Sequence, residues 1–167
     1  LANEWAAKPL PVSATCHQAG RLAVRLSGAA PAVEAAARQI GGAELPDSDA
    51  FWEGIREQTH AFFAVPRVDG ASLWRLSVKA TAPHHDLGGE QMIEWSGALR
   101  WLVAGERTEP ARVRDWARIH GGHATLFRAA DKSAGVFHPL PDSLHALHRR
   151  LKATFDPAGI LNRGKVL

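Results

Sequence analysis

The stretch Ser72-Leu-Trp-Arg-Leu-Ser-Val-Lys79 alternates between two faces. Trp74, Leu76 and Val78 fall on one face, whereas the other mixes a leucine with polar side chains, among them Arg75. Side chains of a β-strand point alternately to opposite sides, so this pattern predicts a strand over residues 72–79 with one buried face. The rest of the fold is predicted by working outward from this strand.

Periodicity predicts the remaining elements in chain order: a strand over 21–26, helices over about 33–40 and 47–62, one bulged strand or two short ones over 92–104, a helix over about 110–120, a strand over 123–128 and a last helix over about 142–154. The order β-α-(α)-β-β-α-β is that of the split βαβ, or ferredoxin-like, arrangement. We therefore predict an α+β fold, with an antiparallel sheet, helices on one face of it and a C-terminal helix. No linker composition divides the chain, so residues 1–167 are predicted to form a single domain.

Composition excludes several classes of function. The net charge is only +3, which demands no nucleic-acid partner, and the aromatic motif of an RNA-recognition domain is missing from residues 98–104. The single cysteine, Cys16, can form neither an internal disulfide nor a cysteine-based zinc site, which favours a reducing, cytosolic setting. No apolar stretch approaches the roughly 18 residues of a membrane span.

No catalytic constellation is evident among the residues themselves. The histidine pairs 84–85 and 145–148 lack a third ligand, so we predict no metal site. A Gly-x-Ser-x-Gly elbow, a Gly-x-Gly-x-x-Gly loop and a phosphate-binding Walker loop are all missing. The six tryptophans fall mostly at positions predicted to face the core.

Arg75 is the most informative charged residue. It projects from the predicted central strand, on the face opposite Trp74 and Leu76. The planar guanidinium can bind both oxygens of a carboxylate, which makes Arg75 a candidate substrate contact. A salt-bridged arginine, or one at the edge of the sheet, explains the residue equally well. For His123 and Arg128, which bracket the last predicted strand, a structural role is favoured.

Four runs carry a resemblance to a known family. The closing run Phe155-Asp-Pro-Ala-Gly-Ile-Leu-Asn-Arg-Gly-Lys165 resembles the final motif of FAD-linked oxidases of the vanillyl-alcohol oxidase type. The other three are Leu73-Trp-Arg-Leu-Ser77, Gly89-Glu-Gln-Met-Ile-Glu-Trp-Ser-Gly-Ala-Leu-Arg-Trp-Leu102 and Gly121-Gly-His-Ala-Thr-Leu-Phe-Arg128. Together they narrow the resemblance to the FAD-binding subunits of glycolate oxidases, from about Trp5 to the end of the chain.

The resemblance implies a role within a larger enzyme. Members of the family have an N-terminal FAD-binding domain followed by a cap domain, and this chain is similar to the cap alone. We expect it to be part of an FAD-dependent complex that oxidises glycolate to glyoxylate, and to be colourless and inactive by itself. The expected partners are its own FAD-binding domain, a second flavoprotein subunit and an iron–sulfur subunit. A cytoplasmic location is implied, and association with the inner face of the membrane through the complex stays open.

The same resemblance assigns site residues. Arg75 matches an arginine near the substrate carboxylate, and His123 is a second substrate-binding candidate. Asn162 and Lys165 fall in the segment that returns toward the flavin in relatives, which makes them cofactor-binding candidates. These assignments assume an attached FAD domain.

Two departures from the family pattern stand out. The Asn-Leu-His and Glu-His-Gly motifs that supply metal ligands and a base in catalytic relatives are replaced here, so no catalytic residue is assigned. Arg163 stands where the motif has proline. The alternative hypothesis is a ferredoxin-like ligand-binding or regulatory module without a redox role.

Overall fold

The computed structural model describes residues 1–64 and 70–162. Its elements in chain order are α1 (Ala2–Ala6), β1 (Val12–Gln18), β2 (Arg21–Leu26), α2 (Ala30–Ile40), α3 (Ser48–Arg56), α4 (Ala61–Ala64), β3 (Ser72–Ser77), β4 (Gly89–Glu94), a 3-10 turn (Trp95–Gly97), β5 (Leu99–Ala104), α5 (Pro110–Ile119), β6 (His123–Arg128) and α6 (Asp142–Phe155). The chain divides into two compact units, Leu1–Val136 and Phe137–Leu167. The first unit holds every described strand, and the second holds α6.

The six described strands form one antiparallel sheet in the order β2-β1-β4-β5-β3-β6. Within it, β5 lies between β3 and β4, which run parallel to each other, and β6 flanks β3. This is the split arrangement of a ferredoxin-like sheet, so the predicted α+β fold is confirmed. Residues 78–88, which connect β3 to β4, contain no helix. The predicted helices after residue 26 therefore precede the split motif instead of lying inside it.

A strand that the sequence analysis missed, β1, pairs with β2 in a hairpin and with β4 in the sheet. In its sequence, Val-Ser-Ala-Thr-Cys-His-Gln, small apolar side chains alternate with polar ones, which is a weaker pattern than that of residues 72–79. The hairpin loop consists of Ala19 and Gly20, both with positive φ (47° and 76°). Such two-residue loops match the twist of the flanking strands.

The prediction of helices on only one face of the sheet is wrong in detail. One face packs against α5 through a core that includes Trp74, Leu76 and Leu102. The opposite face packs against α3 and α4 through a second core that includes Leu73 and Trp101. Consecutive residues of one strand face opposite sides, so both faces of the sheet carry apolar side chains that need cover. We call these the α5 face and the α3–α4 face.

Two local predictions are also corrected. The helix predicted to run to Phe62 ends at Arg56, and the chain turns at Gln58, whose φ is 58°. The amide groups of Thr59 and His60 both donate to the carbonyl oxygen of Gly54, which closes this turn. The region 92–104 forms two short strands separated by the 3-10 turn, so the bulged-strand alternative is wrong.

In the second unit, Asp156 organises the segment that follows α6. Its carboxylate accepts hydrogen bonds from the Lys152 ammonium (2.9 Å) and from the amides of Ile160 and Leu161 (3.0 Å each). The Lys152 contact and the two amides hold the pKa of Asp156 below its usual value. The family motif Asp-Pro-Ala-Gly thus has a structural role here, because its aspartate folds the chain back on the end of α6.

Candidate functional site

A cavity of about 730 Å³ lies on the α3–α4 face of the sheet. Its floor comes from side chains of three neighbouring strands: Arg75 of β3, Trp101 of β5 and Glu94 of β4. Trp95, in the turn after β4, and Trp52 of α3 also line it. The cavity thus combines aromatic walls with three arginines and three acidic residues, which are Arg25, Arg56 and Arg75, and Asp49, Glu53 and Glu94.

Arg75 enters this cavity without a carboxylate partner. Its guanidinium carbon lies 5.8 Å from the ring centroid of Trp95 and 5.9 Å from that of Trp101, close enough for cation–π attraction to both. Among the described residues, no Asp or Glu oxygen lies within 4.0 Å of its nitrogens. The planar fork therefore keeps its donors for another anion.

Glu94 is half-buried at the end of β4 and is held by an indole. Trp101 donates a hydrogen bond from Nε1 to Oε1 of Glu94 over 2.7 Å. Burial raises the pKa of the Glu94 carboxyl, while the Trp101 hydrogen bond and the positive charge of Arg75 oppose that rise. Arg75 therefore influences Glu94 electrostatically although the two side chains form no ion pair.

The turn between β4 and β5 holds Trp95 in an unusual backbone conformation. Both Trp95 (φ 52°) and Ser96 (φ 53°) lie in the left-handed region, which costs energy for residues with a Cβ atom. The buried hydroxyl of Thr15 accepts a 2.7 Å hydrogen bond from the Ser96 amide and so supports the turn. Gly97 follows at φ 110°, where an added Cβ would lie 2.3 Å from the carbonyl oxygen of Ala80. This turn places a tryptophan that is 63% exposed beside Arg75.

His123, the second predicted substrate contact, is not brought together with Arg75. His123 is exposed at the first position of β6, in register with Ser77, and does not line the cavity. Asn162 is exposed, at φ 46°, in the second unit. Lys165 lies outside the described residues, as does Arg163.

Sequence reasoning missed Glu94 and Trp95 as cavity residues. The tryptophans were assigned to the core, which holds for Trp74, Trp101 and Trp116 but not for Trp95. The available signal was the run Glu-Trp-Ser-Gly at residues 94–97, a turn sequence that interrupts two apolar strands.

Residues 1–64 and 70–162 hold no cluster of three or more His, Cys, Asp or Glu side chains that could bind a metal ion. Over the same ranges, no helix has both the length and the apolar character needed to cross a membrane.

Comparison with known proteins agrees with the resemblance. The family described as the C-terminal domain of FAD-linked oxidases matches residues 138–166. The glycolate oxidase subunit GlcE of Escherichia coli (strain K12) is 42% identical over 163 residues, which is 98% of this chain and 43% of that protein. The chain therefore spans less than half the length of this relative. No solved structure gives a significant match. The resemblance to FAD-linked oxidases, and to a glycolate oxidase subunit among them, is confirmed.

Proposed function

We propose that this chain is the C-terminal, substrate-side domain of a glycolate oxidase subunit, and that the cavity on the α3–α4 face binds the carboxylate of a small 2-hydroxy acid. The complex that contains it would oxidise glycolate to glyoxylate with FAD as cofactor. The similarity to GlcE along nearly the whole chain supports the assignment to such a subunit. It also disfavours the alternative of a regulatory module without a redox role.

The observation that carries the proposal is the uncommitted guanidinium of Arg75. A half-buried arginine with no carboxylate partner within 4.0 Å among the described residues retains the full ability of its fork to bind an anion. The two indoles beside it exclude water from part of its surface, which strengthens an electrostatic contact with a ligand. Arg75 would bind both oxygens of the substrate carboxylate and orient the rest of the molecule across the cavity.

The described residues of this chain do not fit FAD by themselves. A dinucleotide phosphate needs a helix N-terminus or glycine-rich loop that offers free amide groups. Here α3 and α5 begin after the acidic residues Asp47 and Glu109, and α6 begins with Asp142, so a carboxylate at each of these N-termini would repel phosphate. Helix α2 begins after Ala29 without a glycine-rich loop. The flavin, bound by another part of the protein, would supply the two-electron acceptor. Asn162 and Lys165 stay predicted contacts of that flavin.

The remaining partners belong to the same proposal. A second flavoprotein subunit and an iron–sulfur subunit would complete the complex and carry the electrons onward. A cytoplasmic location, with the complex at the inner face of the membrane, agrees with a chain whose one cysteine is a buried free thiol.

Kinetics of the complete complex test the proposal. Arg75→Lys keeps the positive charge but removes the planar fork, so we expect KM for glycolate to rise about tenfold or more. Arg118→Lys is the matched control, because Arg118 is an exposed arginine of α5, paired with Asp115, outside the cavity. If the Arg75 variant keeps the wild-type kcat and KM, Arg75 does not bind substrate and the proposal fails.

The isolated chain provides a second test. Residues 1–167 expressed alone should purify colourless, without absorbance near 450 nm, and should not oxidise glycolate. A yellow preparation with one flavin per chain would show that the chain does hold the cofactor by itself.

A further inference from the structure

We infer that Glu94 is a specificity-determining contact of the ligand that Arg75 binds, and that its carboxylate accepts a hydrogen bond from the 2-hydroxyl group. The inference rests on the proposed function, since it presumes a carboxylate at Arg75. It assigns a role in ligand binding to one carboxylate of the same cavity, that of Glu94.

Arg75 and Glu94 lie on two strands, β3 and β4, that are separated by the single strand β5. Arg75 is in register with Trp101, and Trp101 in turn with Met92, two positions before Glu94 on the same face. Neighbouring strands lie about 4.8 Å apart, so β3 and β4, separated by β5, are roughly 10 Å apart. The two long side chains approach each other across Trp101 without meeting within 4.0 Å. A ligand that contacts both side chains would lie between them, beside Trp101.

Arg75 and Glu94 impose an orientation on a ligand that contacts both of them. A carboxylate at the Glu94 end would face a like charge, whereas at the Arg75 end it meets an opposite one. A hydroxyl group can donate a proton, and an ionised carboxylate can only accept. A small 2-hydroxy acid therefore fits with its carboxylate at Arg75 and its hydroxyl toward Glu94.

Glu94 has spare capacity to accept that hydrogen bond. Trp101 donates to Oε1 only, and Oε2 has no hydrogen-bond partner among the described residues. An ionised carboxylate can accept about four hydrogen bonds. The partial burial that raises the pKa of Glu94 also makes its carboxylate a better acceptor than an exposed one. The hydrogen bond from Trp101 to Oε1 fixes the orientation of the Glu94 carboxylate and therefore the direction of its Oε2 atom.

The test uses two competitive inhibitors of the complete complex that differ by one hydroxyl group. These are 2-hydroxy-2-methylpropanoate, which has no hydrogen on C2 to be removed, and 2-methylpropanoate, which has no hydroxyl to be oxidised. In the wild type, we expect the hydroxy acid to bind about tenfold more tightly, as a hydrogen bond to a charged acceptor implies. In Glu94→Gln this advantage should fall to about threefold or less, because Trp101 keeps the amide oxygen and the amide nitrogen cannot accept the proton. The matched control is Glu90→Gln, the same change at an exposed position of β4 outside the cavity.

The outcomes separate this inference from the proposed function. If Glu94→Gln keeps the wild-type ratio of inhibition constants, or if the wild type does not discriminate between the inhibitors, the inference is overturned. Arg75→Lys should raise both inhibition constants by a similar factor and leave their ratio unchanged. If that variant changes neither constant, the proposed function itself is overturned, and the role of Glu94 with it.

Discussion

The Nε1–H group of Trp101 donates a 2.7 Å hydrogen bond to Oε1 of Glu94. The same indole lies beside the guanidinium of Arg75, and it packs edge-on against Phe63 and Phe127, with ring centroids 5.3 and 5.1 Å away. Because these contacts fix its ring, Trp101 holds the Glu94 carboxylate in one orientation relative to Arg75. We regard Trp101 as a positioning residue.

Trp101→Phe tests that role. Phenylalanine keeps an aromatic ring beside Arg75 but has no N–H group for Glu94. We expect a loss of stability of about 1–3 kcal/mol from the smaller ring and the lost hydrogen bond. In the inhibitor assay, the advantage of the hydroxy acid should fall severalfold, while the constant for 2-methylpropanoate changes little. An unchanged advantage would show that Glu94 is oriented without the indole.

Arg100 and Arg75 are predicted to differ sharply in their effect on stability. Arg100 is 3% exposed on the α5 face and donates hydrogen bonds to the carbonyl oxygens of residues 82, 83 and 97. Its guanidinium carbon also lies 5.0 Å from the ring centroid of Trp116. Arg100→Met should lower the free energy of unfolding by about 2–4 kcal/mol, because it removes three hydrogen bonds that the buried guanidinium donates to backbone carbonyl oxygens. Arg75→Met should cost less than about 1 kcal/mol, since no described carbonyl or carboxylate depends on Arg75.

Urea unfolding followed by circular dichroism measures both losses. Equal losses for the two variants would mean that Arg75 contributes to stability as Arg100 does. The view of Arg75 as a ligand-binding residue would then lose its structural basis.

Thr15 is predicted to stabilise the left-handed turn through its hydroxyl group. Thr15→Val has nearly the same shape but cannot accept the hydrogen bond from the Ser96 amide, so we expect a loss of about 1–2 kcal/mol. Thr15→Ser is the control, because it keeps the hydroxyl. A valine variant as stable as the wild type would show that the turn does not need this support.

Cys16 is predicted to be inert in the folded protein. Burial, followed by the negative charge of Glu94 across the β1–β4 pair, raises the pKa of its thiol to about 12. Alkylation requires the thiolate, so iodoacetamide at pH 8 should modify Cys16 only after unfolding. Rapid modification of the native protein, located by peptide mass spectrometry, would contradict this.

The same shift makes stability depend on alkaline pH. The thiol of the unfolded chain ionises near pH 9.0, and that of the folded chain only near 12. Between these values the folded protein binds more protons, so the free energy of unfolding falls as pH rises. Cys16→Ala removes this contribution. Its free energy of unfolding should therefore fall less than that of the wild type as the pH rises from 9 to about 11. Parallel stability curves would mean that the thiol ionises at the same pH in both states.

Much of the fold could be predicted from periodicity, and the exceptions have physical causes. Alternation over residues 72–79 and the helical stripe of α5 were visible because each buries a continuous apolar face. Strand β1 was missed because the apolar residues of its alternation, Val12, Ala14 and Cys16, are small, although Cys16 is buried in the core of the α3–α4 face. The break at Gln58 was missed because hydrogen bonds to Gly54, not the residue type, cause it.

The site could be predicted only in part. Arg75 was visible as a charge in the middle of the predicted strand, opposite its apolar face, with a side chain suited to carboxylates. Glu94 and Trp95 become cavity residues only through the pairing of β4 with β5 and through a strained turn. Neither feature can be derived from local sequence patterns. The predicted roles of His123, Asn162 and Lys165 stay predictions.

The most direct measurement is a crystal structure of the complete protein with 2-hydroxy-2-methylpropanoate bound. We predict that the carboxylate of this ligand lies on the α3–α4 face, with both of its oxygens within about 3.2 Å of the Arg75 guanidinium nitrogens. Its hydroxyl oxygen should lie at hydrogen-bond distance from the Glu94 carboxylate. A ligand bound elsewhere, with the cavity around Arg75 holding only solvent, would contradict the central claim that this domain binds the substrate carboxylate.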